Sequence, residues 1–166
     1  TSLFRSMIFD SHTHMPSEGW PGHKGHVPTV AEAVAYLKKT GTDAAMFNMW
    51  QGTLAEKEED IEQGNAAALK LAEQYEGFLY PGVSIHPAWP ETSRRWIARF
   101  RELGHLWVGE LVYSKKPFSY LDPVFLELVA DCAAHGQILQ LHNHRDICEV
   151  ARRFPALHVA CALCAC

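Results

Sequence analysis

Several things are scarce in this chain, and each absence removes a class of protein. No apolar run comes near the roughly 20 residues that a membrane-crossing helix needs. Gly-x-Gly-x-x-Gly and P-loop patterns are missing, which argues against a nucleotide cofactor. Positive charge is not in surplus: 15 Lys and Arg face 19 Asp and Glu, a formal net charge of -4. No global field therefore advertises a nucleic-acid partner. The opening Thr1-Ser2-Leu3-Phe4-Arg5 has neither an initiator Met nor a signal-peptide apolar core, and reads as a cut or processed beginning that carries no address. Cysteine is too sparse and too uneven for a disulfide framework: there are 5, an odd number, crowded toward the C-terminus. The odd count and the missing signal point to a reducing cytoplasm.

What is present is ordinary except in one respect. A chain of 166 residues, 48% hydrophobic and 20% charged, fits one globular domain over 1–166 with a sizeable core. Short β-rich runs alternate with amphipathic helical stretches, the pattern of βαβ units and a parallel sheet. Strands are expected at 6–12, 43–49, 78–85, 106–112, 137–141 and 157–162. Helices are expected from Thr29, a plausible N-cap with Glu32 three residues on, to Gly41, and from the acidic run at 56–60 to Gly77. Further helices are expected at 92–103, from Asp122-Pro123 to His135-Gly136, and at 145–154. The fold class is α/β, a partial TIM (β/α)8-type barrel with about six βα units. The unusual feature is 10 histidines.

Asp10, His12 and His14 alternate across the end of the first strand, so His12 and His14 can reach one point. Two imidazoles on one strand end suit a borderline ion such as zinc, with Asp10 placed to orient a ring. His86 follows strand three, Glu110 sits within strand four, and His142 and His144 follow strand five. In a parallel barrel these strand ends open on one face, where catalytic sites are assembled from several strands. Each residue also has a plain structural reading. Glu110 could pair with a buried cation, His86 could shape the turn before Pro87, and His144 could cap the next helix.

These residues resemble a family. Phe9-Asp10-Ser11-His12-Thr13-His14 is similar to the opening motif of the amidohydrolase superfamily of metal-dependent hydrolases, nearest to its TatD-like and amidohydrolase-related branches. Gly82-Val83-Ser84-Ile85-His86-Pro87 resembles the strand-three motif, Val108-Gly109-Glu110-Leu111 the strand-four motif, and Leu139-Gln140-Leu141-His142 the strand-five motif. The resemblance implies a (β/α)8 barrel holding one or two divalent ions, zinc first among them, with His12, His14, Glu110 and His142 as ligands. It implies Glu110 and His86 as the catalytic residues, His86 beside a small-molecule substrate. The implied activity is hydrolysis of an amide, ester or phosphoester by metal-activated water; decarboxylation would use much the same site.

The family pattern is not fully met. Its strand-six His falls near Leu163 here, with His158 too early, and its base after strand eight has no counterpart within these residues. The chain thus reads as the first two thirds of a barrel, or as one completed by association, and as a weak catalyst on its own. A non-catalytic metal-binding remnant, a PHP-type phosphoesterase and a TatD-like nuclease are the rival readings. The His-Pro after strand three and the Gly-Glu of strand four favour the amidohydrolase side, and the net charge weighs against a nuclease. Trp20, His23, Lys24 and His26 occupy a loop expected over the barrel mouth. The Cys161–Cys166 tail reads as a buried strand end, Cys132 and Cys148 as small core residues, and Glu56 to Asp60 as a solvated helix start.

Overall fold

The computed structural model describes residues 6–20, 29–112 and 116–162. His23, Lys24, His26, Leu163, Cys164 and Cys166 lie outside these. Six strands form one sheet in sequential order: β1 (Phe9–Met15), β2 (Ala44–Met49), β3 (Leu79–Val83), β4 (Trp107–Leu111), β5 (Ile138–His142) and β6 (His158–Ala162). Every pairing is parallel. The crossovers carry α1 (Val30–Lys39), α2 (Trp50–Thr53), α3 (Glu58–Gln74), α4 (Pro90–Glu102), α5 (Pro123–Ala134) and α6 (Ile147–Arg153). This is the βα alternation expected of a partial TIM-type barrel.

The helix ends obey their local chemistry. Thr29 accepts a hydrogen bond from the Glu32 N–H, and Asp122 takes those of Val124 and Phe125 ahead of Pro123. Gly77, at φ 77°, closes the segment after α3 in a conformation that other residues rarely adopt. The helices and the outer face of the sheet share a core that includes Phe47, Ile97, Phe100, Phe125, Leu128 and Leu139. Burying each such side chain contributes about 1.5–3 kcal/mol.

The sheet is curled. Gln140 of β5 donates from Nε2 to the Ser11 carbonyl of β1 at 2.8 Å, although β1 pairs only with β2. A flat sheet would keep those strands far apart. Paired residues share a face, so Asn48, Gln140 and His142 line the concave side, with Ala162 level with His142 on β6. His158 sits one full strand length below, level with Ile138.

Four expectations need correcting. The first strand runs Phe9–Met15, later than expected, and carries a bulge between Asp10 and Thr13 that breaks strict alternation. Asp10 turns Oδ1 to the His12 backbone N–H, at 3.0 Å, and among the described residues its carboxylate makes no hydrogen bond to a ring. Asp60 is buried, accepting from the Glu56 and Lys57 N–H groups and from Gln51 Nε2, so the acidic run is not wholly solvated. Cys148 is exposed, because Val150 supplies the buried position of α6; Cys132 is buried as expected, which pushes its thiol up to about 12.

One buried amide carries the chain from β3 toward the site. Asn65 of α3, 1% exposed, donates to the Ser84 carbonyl at 2.9 Å and accepts from the Ser84 N–H at 2.8 Å. It imitates a neighbouring strand just where β3 ends. Asn65→Ala removes both bonds and strands two buried backbone groups, so urea unfolding should register a loss of about 2–4 kcal/mol.

Candidate metal centre

The strand ends place three imidazoles around one carboxylate. Glu110, the penultimate residue of β4, is 3% exposed. Its Oε2 lies 3.1 Å from His12 Nε2 and 2.9 Å from His14 Nε2, and its Oε1 lies 2.7 Å from His142 Nδ1. The His12, His14 and Glu110 ligand atoms all fall within 4.8 Å of one another. Among the described residues the charged partners of Glu110 are these three histidines, with no Arg or Lys beside them. His12 and His14 both face inward, their rings edge to face at 5.2 Å.

The electrostatics follow from the packing. Burial alone would push Glu110 up, but the hydrogen bonds from His12, His14 and His142 outweigh it and hold the carboxyl far below its usual range. His12 moves the opposite way: its hydrogen bond to Glu110 raises it, against the pull of burial. An ionised carboxylate only accepts, so each facing ring nitrogen carries its proton toward Glu110.

The donor set therefore fits a divalent metal. Imidazole nitrogens and a carboxylate, buried yet partly open through His12 and His142, are the ligands that zinc and manganese take. His14 Nδ1 is buried with no hydrogen-bond partner among the described residues, while its ring stacks on Trp50 at 4.1 Å and 18°. The indole face holds the ring where a second-sphere acceptor is more usual.

Glu110 is supported from behind. The β3–β4 ladder is registered only at Gly82↔Trp107 and Val83↔Val108, and the β4–β5 register shifts between Val108 and Leu111. Asn48 of β2 fills the gap: its Oδ1 accepts the Glu110 N–H, and its Nδ2 donates to the Gly82 carbonyl at 2.9 Å. Tyr120, 1% exposed, donates to the Leu111 carbonyl at 2.6 Å. Sequence reasoning missed Asn48, Trp50, Tyr120 and Gln140. The available signal was a polar residue among apolar strand neighbours: Asn48 between Phe47 and Met49, Gln140 between Leu139 and Leu141.

His86 and His144 stand outside the cluster. His86 is 5% exposed; its Nδ1 accepts the Ala88 N–H and its Nε2 donates to the Lys116 carbonyl, both at 3.0 Å. It bridges the β3–α4 and β4–α5 connections, between Trp89 and Phe118. His144 Nδ1 lies 3.3 Å from Asp146 Oδ2, a partner not foreseen from sequence. Burial lowers His86 below its ordinary value. Below about pH 6.5 the unfolded chain takes up a proton there that the folded one refuses, so stability falls as pH falls from that point. The stability advantage of the wild type over His86→Asn should shrink between pH 7 and 5.5, as measured by urea unfolding.

The chain superposes on 5-carboxyvanillate decarboxylase of Novosphingobium aromaticivorans, solved with manganese and 4-hydroxy-3-methoxy-5-nitrobenzoic acid. The TM-score is 0.71 at 11% identity, over 93% of this chain and 64% of that one. It shares that fold. A Staphylococcus aureus protein proposed as an amidohydrolase gives 0.70 at 12% identity, covering 94% and 67%. An Acinetobacter baumannii protein described as a probable 2-pyrone-4,6-dicarboxylic acid hydrolase, with citric acid bound, gives 0.62 at 12% identity, covering 94% and 58%. The chain thus spans somewhat under two thirds of the first neighbour's length. No family model matches the sequence, and no curated protein aligns with it. Among the described residues no helix is long and apolar enough to cross a membrane.

Proposed function

We propose that this chain carries the metal centre of an amidohydrolase-superfamily enzyme that hydrolyses an amide, ester or phosphoester in a small molecule. The supporting observation is the convergence of His12, His14 and His142 on the buried Glu110 at the ends of three strands. A divalent cation held by these four residues, zinc or manganese, would polarise the scissile group and lower the pKa of water. His12, His14 and His142 supply nitrogen donors, and Glu110 supplies the negative charge that offsets the cation. His86, with both nitrogens committed to backbone, serves as a wall of the site. A small-molecule substrate, a cytoplasmic setting and association that completes the barrel belong to the same proposal.

Non-oxidative decarboxylation is the second reading, favoured by the manganese-bound decarboxylase among the fold neighbours. One assay separates the two. The manganese- or zinc-loaded chain is offered p-nitrophenyl esters, phosphoesters and cyclic amides, and, beside them, hydroxybenzoates with carbon dioxide release recorded. Hydrolysis that disappears in His12→Ala supports the first reading, and carbon dioxide release with no hydrolysis transfers the assignment to the second. Turnover that survives His12→Ala at full rate contradicts both.

A further inference from the structure

Resting on the metal-centre reading above, we infer that Gln140 is a positioning residue that brings the ligand strands β1 and β5 to a common point. Gln140 is 2% exposed and lies on the concave face of β5, two residues before His142. Its Nε2 donates to the Ser11 carbonyl at 2.8 Å, immediately before His12. These strands share no ladder; β5 pairs with β4 and β6, and β1 with β2. The amide therefore spans the interior of the curled sheet where no strand pairing fixes the separation. One bond sets how closely His12 approaches His142, and both rings reach the same carboxylate of Glu110, through its two different oxygens.

Side-chain length and chemistry both enter. The acceptor is a backbone carbonyl next to a bulge, which the β1–β2 register leaves unpaired between Asp10 and Thr13. Only a donor on a long side chain can cross to it, and a carboxylate there would repel both the carbonyl and Glu110. Gln140 Oε1 is buried with no partner among the described residues, so the Nε2 bond is the directional contact that its amide makes there. Gln137, just before β5, is an internal control: it is fully buried, and among the described residues neither of its amide atoms bonds to a ligand-bearing strand.

The experiment uses the 166-residue chain, with Gln140→Met, which keeps length and removes the donor, and Gln137→Met. Manganese affinity is measured by isothermal titration. The histidine ring nitrogens of the metal-free protein are followed by ¹H–¹⁵N correlation. Gln140→Met should keep a cooperative melt, lose roughly 10–100-fold in affinity as disturbed outer-sphere partners do, and shift the His12 and His142 ring signals. Gln137→Met should leave affinity and ring signals in place. Wild-type ring signals in Gln140→Met, or an equal loss in Gln137→Met, overturns the assignment. Should Gln140→Met not fold, the wild type decides: its Gln140 side-chain amide must exchange slowly, and rapid exchange overturns the proposal. A wild type that binds no manganese contradicts the metal reading alone, because the metal-free ring signals still report on the positioning.

Discussion

Replacing Glu110 by Gln should cost the protein at least 10–100-fold in divalent-metal affinity while leaving the fold in place. Gln has nearly the same shape, so the buried space is filled and the Asn48 bond to the residue-110 N–H survives. What goes is the charge. Three imidazoles now face a carboxylate that accepts from each of them; an amide offers one acceptor oxygen and turns an NH₂ donor toward the remaining ring. Removing an anion from a site that binds a cation should be felt no less than the 10–100-fold that outer-sphere changes produce. Isothermal titration with zinc or manganese measures it. An unchanged affinity would reduce Glu110 to a structural acceptor for His12 and His14. His12 should also lose its upward displacement, since its hydrogen bond to Glu110 is the leading cause.

The second large effect is expected at Gly109, one residue earlier. Its φ is 95°, a conformation that side-chain-bearing residues rarely adopt, and a Cβ there would lie 2.2 Å from the Gln140 carbonyl oxygen and 2.8 Å from Leu111 N. Both are backbone atoms and neither can swing away. Gly109→Ala should therefore destabilise the chain by roughly 2–5 kcal/mol, combining backbone strain with overpacking. The loss should appear as a lower urea midpoint, and the displaced Glu110 should weaken metal binding in whatever folds. Stability within about 0.5 kcal/mol of wild type would show that β4 can relax there. The Gly of the Gly-Glu pair is thus explained by sterics: β4 leaves its ladder at Glu110, and the chain needs a residue without a side chain to do so.

The alternation of βα units was legible because period-two apolar runs and capped amphipathic stretches are local signals. Thr29 with Glu32 and Asp122 with Pro123 mark their helices with no help from the rest of the chain. The ligand candidates were legible for a related reason. Strand ends share a face in a parallel barrel, so residues far apart in sequence could be assigned to one region before any contact was seen. Less visible was everything that depends on register or on side-chain reach. Asp10 met the His12 backbone N–H, and His86 found backbone partners for both nitrogens. Asp60 was drawn inward because Gln51 and two N–H groups needed an acceptor. Asn48 and Gln140 act through strands that sequence order alone does not bring together.

Metal titration of the double variant His12→Ala/His14→Ala beside the wild type tests the central claim most directly. The account predicts near-stoichiometric zinc or manganese binding by the wild type, and loss of most of it when both imidazoles are gone, with circular dichroism showing the same helix and strand content. Equal metal content in the two proteins would contradict it.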